Sequence, residues 1–388
     1  MIKKILVLAS QRKKSQEAIA FFSKYPNRYK ISGLMCTDEK QLDFFKKQIK
    51  EIKPDVVFFP NKESAEKIFD ESSTKCFYDY TQYTQFLKAS NCDVVVSDLI
   101  GIDSIKLILA TVGEYKDLCL LNLEPILYSG KIIINEAKNK GVRIQFVTHQ
   151  FYSFDLFQKY KNIDSLNKII LIDFDSRYDK ENLDNYTSPS KPLSEFKKIL
   201  YYKNKMWLSR HMIALSYFYN IDLEKFEYYK SNTDSLSLIL QLSNGSNCMN
   251  ITNNDKELML GYYFLDNITP NNQKLEKSID IKLQKIDSKN VVSLDLAIKA
   301  QNIGGTYPIL YQMAYDICAE SIYKGKTKNK NLFFKVFEDI LNDKSFYSKN
   351  INIQTIFALY EKLKEKIETE HLKKTKEENP EKEKKSKK

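Results

Sequence analysis

The chain has 388 residues, 43% of them apolar, which is more than one ordinary core holds and ample for two or three domains, so a disordered chain is excluded. A net charge of +11 admits nucleic acid or an anionic surface as partner, but Lys and Glu are mixed along most of the chain. The charge therefore reads as a solvated surface plus a Lys-rich tail at residues 373–388.

From the start, an apolar run over Lys4 to Leu8 leads through Ala9-Ser10-Gln11-Arg12-Lys13-Lys14-Ser15 into an amphipathic stretch carrying Ala18, Ile19, Phe21 and Phe22. This predicts a strand, a turn and a helix. The alternation continues with a strand over Tyr29 to Cys36, a helix over Glu39 to Ile52, a strand over Val56 to Phe59 and helices near Ser64 to Phe69 and Tyr80 to Ala89. A strand over Val94 to Ser97, a helix over Ile102 to Tyr115, and apolar runs at Leu118 to Leu121 and Val142 to Thr148 complete it. Strands and helices alternating at this spacing predict a doubly wound, Rossmann-like parallel sheet over residues 1–148.

Residues 149–265 read as an α+β region. It has a strand at Ile169 to Ile172, a helical and aromatic stretch from Phe196 to Phe226, and a hairpin of Ser235 to Leu242 with Asn247 to Thr252 turning at Asn244-Gly245. Residues 266–290 read as a polar linker. Helices at Leu294 to Gln301, Tyr307 to Tyr323, Leu332 to Leu341 and Ile353 to Leu372 predict a helical domain over residues 291–372, and the charged tail at 373–388 reads as disordered.

No window approaches the roughly 20 apolar residues of a membrane span, and Met1-Ile2-Lys3-Lys4 leads into a strand without a small-residue cleavage pattern, so the expectation is a soluble, cytoplasmic protein. The six cysteines (Cys36, Cys76, Cys92, Cys119, Cys248 and Cys318) form no CxxC pair and read as reduced, buried thiols. His149, His211 and His371 stand in no metal-ligand spacing.

In an open α/β sheet, ligands lie against the loops at the carboxyl ends of the strands. After the two apolar runs flanking residues 122–141, those loops offer Leu123 and Gln150-Phe151-Tyr152-Ser153, none of them a general acid, a base or a strong metal ligand. The turn after the first strand holds no glycine, and ten glycines in the whole chain are well under half the usual share of about 7%. Arg12, Lys13 and Lys14 remain there as point charges for a phosphate. Asp173 and Asp175, flanking Phe174, offer at most a weak divalent-cation site; loop capping or solvation is the simpler role.

Several runs, in order, resemble the 1-deoxy-D-xylulose 5-phosphate reductoisomerase family. Gly304-Gly305-Thr306-Tyr307-Pro308 followed by Gln312-Met313-Ala314-Tyr315-Asp316 is similar to its Gly-Gly-Thr-x-Pro and Asn-Ala-Ala-Asn-Glu. Leu120-Leu121-Asn122-Leu123-Glu124, followed by Ser129-Gly130, is similar to its Leu-Ala-Asn-Lys-Glu, and Asn220-Ile221-Asp222-Leu223-Glu224 to its Asn-Lys-Gly-Leu-Glu. The resemblance implies an NADPH- and divalent-metal-dependent isomerisation and reduction in isoprenoid biosynthesis, on a dimer of three-part subunits.

Carried over by position, the family's metal-binding Asp and two Glu fall on Gln150, Tyr152 and Glu224, so only Glu224 is kept. The active-site lysine falls on Leu123, the substrate-side lysine on Ile221, and the flap His and Trp on Tyr202 and Lys205. The phosphate loop falls on Asp173-Phe174-Asp175-Ser176, whose carboxylates repel a phosphate. Asn204 and Asn220 remain as vestigial substrate contacts, and Ser10, Arg12, Lys13, Lys14, Asn122 and Glu124 as vestigial cofactor contacts.

The resemblance thus implies a pseudoenzyme: a homodimer that binds an unidentified protein or small molecule, with neither NADPH nor Mg²⁺ or Mn²⁺ as its cofactor. One alternative is an active, divergent reductoisomerase holding NADPH through Arg12, Lys13 and Lys14. Another is an anionic-surface or nucleic-acid binder acting through the tail, whose affinity falls with salt and vanishes when Lys373 to Lys388 are deleted.

Overall fold

A computed structural model describes residues 2–68, 74–160, 165–173, 182–187, 193–232, 236–251, 256–265 and 281–372. In chain order the elements begin with β1 (Lys3–Leu8), α1 (Lys13–Ser23), β2 (Tyr29–Met35), α2 (Leu42–Ile52), β3 (Val56–Phe59), α3 (Lys62–Ile68), β4 (Lys75–Tyr78) and α4 (Tyr83–Ser90). Next come β5 (Val94–Ser97), α5 (Ser104–Gly113), β6 (Asp117–Leu120), α6 (Glu124–Ser129), α7 (Ile132–Lys140), β7 (Ile144–Phe146), α8 (His149–Tyr160) and β8 (Leu166–Asp173). Then follow α9 (Leu193–Lys203), α10 (Met206–Tyr219), β9 (Phe226–Ser231), β10 (Leu236–Leu242), β11 (Asn247–Ile251), α11 (Lys256–Phe264) and β12 (Leu283–Lys285). The chain closes with α12 (Val292–Ile303), α13 (Tyr307–Tyr323), α14 (Leu332–Asn342) and α15 (Ile353–Lys366), the last running into a π-helical turn at Ile367–Leu372. No helix among the described residues is long and apolar enough to cross a membrane.

The elements gather into two compact units. The first comprises Met1–Ile126, Ile133–Lys161 and Thr252–Asp280; the second comprises Leu127–Ile132, Asn162–Ile251 and Ile281–Lys388. The boundary read from sequence at residue 149 therefore differs from the structural one, since α8 and α11 belong to the first unit.

The first unit is a Rossmann-like sheet of seven parallel strands in the order β4-β3-β2-β1-β5-β6-β7. Its central strands are apolar on both faces, with Ile5 to Leu8, Val95, Val96 and Leu118 to Leu120 all buried. That is the composition a parallel sheet covered by helices requires. Each such side chain contributes about 1.5–3 kcal/mol on burial. Gly33 is needed in β2, because a Cβ there would stand 2.4 Å from Leu6 and 2.9 Å from Val56. The strand β1 shifts its register against β2 at that point. Phe264 of α11 packs edge-on against Phe22 at 4.9 Å, and Tyr29 donates its hydroxyl to the Phe264 carbonyl. The chain after the central hairpin thus returns to the first core.

The second unit has a five-stranded sheet in the order β11-β10-β8-β9-β12. Only β8 and β9 pair in parallel. The hairpin turning at Asn244-Gly245 forms as the sequence predicts, with Gly245 at φ 83°. Its expected end residues Ser235 and Thr252 lie outside the described residues. Helix α13 is the axis of the helical part: fifteen of its seventeen residues are buried, so it presents no broad face to solvent. Pro308 sits in its first turn, where the missing N–H costs nothing.

Several elements depart from the sequence reading: β9 and α11 were not expected, and β12 pairs with β9 inside the stretch read as a polar linker. β4 was not anticipated, being four residues long with Lys75 exposed at its start. Residues 150–153, expected in a loop, lie in the first turns of α8. Thr148 opens that helix: its Oγ1 accepts from the Phe151 amide at 3.4 Å and its carbonyl from the Tyr152 amide at 2.9 Å. Phe151, Phe154 and Phe157 then recur every three residues on its buried face. Residues 266–280 and the tail at 373–388 lie outside the described residues.

Candidate functional site

The strand order reverses direction between β1 and β5, since the chain winds outward from β1 through β2, β3 and β4 and then returns to pair β5 on its other side. The carboxyl ends of these two strands flank the crevice where open α/β sheets take their ligands. Ala9 leaves β1 in the left-handed conformation, φ 53°, fully buried. A glycine adopts that conformation without the penalty of roughly 1–2 kcal/mol that a Cβ incurs. The turn thus keeps a glycine-type backbone without the glycine.

Every polar residue singled out in this turn except the exposed Lys13 is held by a neighbour. Ser10 donates its hydroxyl to Gln48 Oε1 at 3.0 Å, and Gln48 Nε2 donates back to the Ser10 carbonyl at 3.1 Å. Lys14 Nζ donates to the Leu121 carbonyl at 2.7 Å. Arg12, the N-cap of α1, donates from Nε to Asp98 Oδ2 at 2.9 Å; its side chain is 27% exposed and that of Asp98 3%. Arg12 and Lys14, expected from sequence as point charges for a phosphate, each make an internal contact, Arg12 through its Nε.

Asp98 was not flagged by the sequence reading. It follows β5 directly, and its second oxygen accepts from Asn122 Nδ2 at 3.0 Å. The same amide donates to the Leu99 carbonyl at 2.9 Å, while Asn122 Oδ1 accepts from the Glu124 amide at 3.0 Å and so caps α6. The Glu124 carboxylate accepts from the Gly101 amide at 2.9 Å. The Asn-x-Glu run therefore has a structural task, tying the end of β6 to the end of β5. Leu123, between them, is buried.

The three positions on which the resemblance places metal ligands are Gln150, buried in α8; Tyr152, buried in the first core with its ring 5.0 Å from Tyr262; and Glu224, exposed in the second unit. Burial pushes the Tyr152 phenol above its ordinary pKa, so it carries no charge near neutrality. Glu224 shows its backbone carbonyl, not its carboxylate, bonded to Lys168 Nζ, at 3.0 Å. Among the described residues no group of three His, Cys, Asp or Glu stands together as a metal site needs. This donor set does not fit a hard divalent cation, which takes several charged oxygens.

In the second unit, Asp173 ends β8 as a buried carboxylate that accepts from Lys205 Nζ at 2.8 Å and from Trp207 Nε1 at 3.1 Å. These bonds tie the end of β8 to the α9–α10 junction; Phe174, Asp175 and Ser176 lie outside the described residues. Tyr202 packs edge-on against Tyr201 at 5.3 Å. Asn204 has a buried Nδ2 with no hydrogen-bond partner among the described residues. Asn220 ends α10 at φ 53°, exposed, and accepts from Lys131 Nζ at 2.8 Å. Ile221 is buried beside it in sequence.

All six cysteines are free. Burial raises the Cys36 and Cys76 thiols to about 11 and holds Cys92, Cys119 and Cys318 above the ordinary value, so these five are protonated and unreactive near neutrality.

The sequence model of the 1-deoxy-D-xylulose 5-phosphate reductoisomerase family matches residues 8–130, the part that carries the β1 turn, Asp98 and Asn122. The curated reductoisomerase of Clostridium acetobutylicum is 24% identical over 346 residues, covering 83% of this chain and 87% of that protein. That of Thermodesulfovibrio yellowstonii is 20% identical over 356 residues, 88% and 92% of the two chains. Among solved structures, the reductoisomerase of Zymomonas mobilis in complex with NADPH superposes with a TM-score of 0.78 at 17% identity, covering 94% of this chain and 97% of that one. A DOX-P reductoisomerase structure with fosmidomycin and magnesium reaches 0.83 at 16% identity, covering 97% and 100%. At these identities the superpositions establish a shared fold.

Proposed function

Because this chain belongs to the 1-deoxy-D-xylulose 5-phosphate reductoisomerase family, at low identity, we propose that it retains the scaffold without the reaction and serves as a binding or interaction protein. The observation that carries this reading is the Arg12–Asp98 pair, which ties Nε of the guanidinium in the β1 turn to an internal carboxylate. Two further features support it. The positions of the three metal-ligating carboxylates hold one, Glu224, and the two lysine positions hold the buried apolar side chains of Leu123 and Ile221. Positioning and electrostatic stabilisation each supply several kcal/mol of a reaction barrier, and these changes remove groups from both.

A second reading, a divergent and active reductoisomerase, draws on the curated enzymes that match 83% and 88% of this chain. In it Arg12, Lys13 and Lys14 hold the NADPH phosphates. The homodimer implied by the family belongs with either reading.

Thermal unfolding with and without saturating NADPH and Mg²⁺ separates the two. A ligand that binds only the folded state stabilises it by about 2.7 kcal/mol at a hundred times its Kd. The proposed reading predicts an unchanged transition; a rise of several degrees supports the second.

A further inference from the structure

The Asp98 carboxylate has the position and partners of a bound anion. It comes from the end of β5 across the switch point to Arg12 at the end of β1, is almost wholly buried, and its two oxygens are divided between Arg12 Nε and Asn122 Nδ2. We propose that Asp98 is an internal substitute for a phosphate, an autoinhibitory contact that closes the β1–β5 crevice to anionic ligands. This rests on the reading above, in which the turn no longer holds a nucleotide.

The Asp98 carboxylate is already on the chain, so its pairing with Arg12 lacks the translational and rotational cost that a free phosphate bears on binding. Charge-assisted hydrogen bonds of this kind are the strong ones, and a phosphate taking Arg12 Nε has to displace one of them. The displaced carboxylate then stays beside the incoming anion, because Asn122 and β5 fix it, and the two negative charges repel each other in a poorly solvated site. Glu124, held by the Gly101 amide, adds a second carboxylate at the neighbouring strand end. A neutral side chain at position 98 removes the competitor and leaves Arg12 at the mouth of the crevice.

The test is calorimetric titration of the full-length chain, wild type and Asp98→Asn, with inorganic pyrophosphate and separately with NADPH. The expected result is saturable pyrophosphate binding by the variant at least about tenfold tighter than any shown by the wild type, with Arg12→Gln in the Asp98→Asn background abolishing the gain. If the variant unfolds cooperatively and still binds neither probe, the carboxylate is not what bars the crevice and the proposal is overturned while the functional reading stands. If the wild type binds NADPH and the variant binds it more tightly, the proposal holds and the functional reading falls. Equal binding of pyrophosphate by both overturns the proposal alone, and equal binding of NADPH by both overturns the two together. Should Asp98→Asn fail to fold, Asp98→Ser places a neutral hydroxyl there and is read in the same way.

Discussion

Replacing Asp316 by alanine is expected to destabilise the second unit by about 1–3 kcal/mol, the usual cost of leaving buried hydrogen-bond donors without their acceptor. Asp316 lies on the fully enclosed helix α13 and is 5% exposed. Its oxygens accept from Tyr128, from Gln312 one turn earlier and from Lys197 Nζ, the last at 3.0 Å. Burial alone would raise this carboxyl, but the charges of Lys197 and Arg210 and the hydrogen bonds from Tyr128 and Gln312 outweigh it and hold the pKa below the ordinary value. A depressed pKa contributes stability that is complete above the unfolded-state value of about 3.9 and is lost as pH falls through the folded-state value. The wild type should therefore lose its advantage over Asp316→Asn progressively below about pH 4. Both effects are read from one probe, because Trp207 is the only tryptophan and lies buried in the same unit. A transition midpoint of the Ala variant within error of wild type removes Asp316 from the account of this core.

The second large effect is expected at Gly305. It turns the chain into α13 at φ 57°, and a Cβ there would stand 2.6 Å from the Ser348 carbonyl oxygen and 2.7 Å from the Tyr347 ring. The contact is with backbone on a segment itself pinned by Thr306, whose hydroxyl donates to the Phe346 carbonyl and accepts from the Ser348 amide at 3.0 Å. Gly305→Val combines a left-handed penalty of roughly 1–2 kcal/mol with overpacking of about 1–3 kcal/mol, giving a loss of roughly 2–5 kcal/mol. Denaturant titration followed by Trp207 measures it; a loss below about 1 kcal/mol means that the Tyr347–Ser348 segment moves aside at little cost. The Gly-Gly-Thr-x-Pro run, the firmest of the family motifs, is thus a packing device.

These details show which parts of the molecule can be read from residue order. The β1, β5, β6 and α13 segments declare themselves because each is built on a run of apolar residues that ends up buried. β4 does not, as Lys75-Cys76-Phe77-Tyr78 is too short to show a period and forms only by pairing with β3. The start of α8 was misplaced because Phe151, Phe154 and Phe157 reveal a helical face only once Thr148 is known to open the helix. At the candidate site the positions of Ser10, Arg12, Asn122 and Glu124 were legible from motif spacing, but their states were not. Arg12 read as a free cation because its partner is 86 residues away, on a strand brought alongside β1 only by the sheet order. An acid directly after a buried strand, as in Val96-Ser97-Asp98, was the signal available for it.

The most direct test of the account is turnover. Purified protein is mixed with 1-deoxy-D-xylulose 5-phosphate, NADPH and Mg²⁺ or Mn²⁺, and loss of NADPH absorbance is followed against a no-protein control and an active reductoisomerase. A rate indistinguishable from the control at every protein concentration is the result predicted for a chain whose Arg12 is held by Asp98 and whose family metal-ligand positions retain Glu224 alone. A rate proportional to protein concentration would contradict the account and establish that the scaffold catalyses the family reaction with a different set of residues.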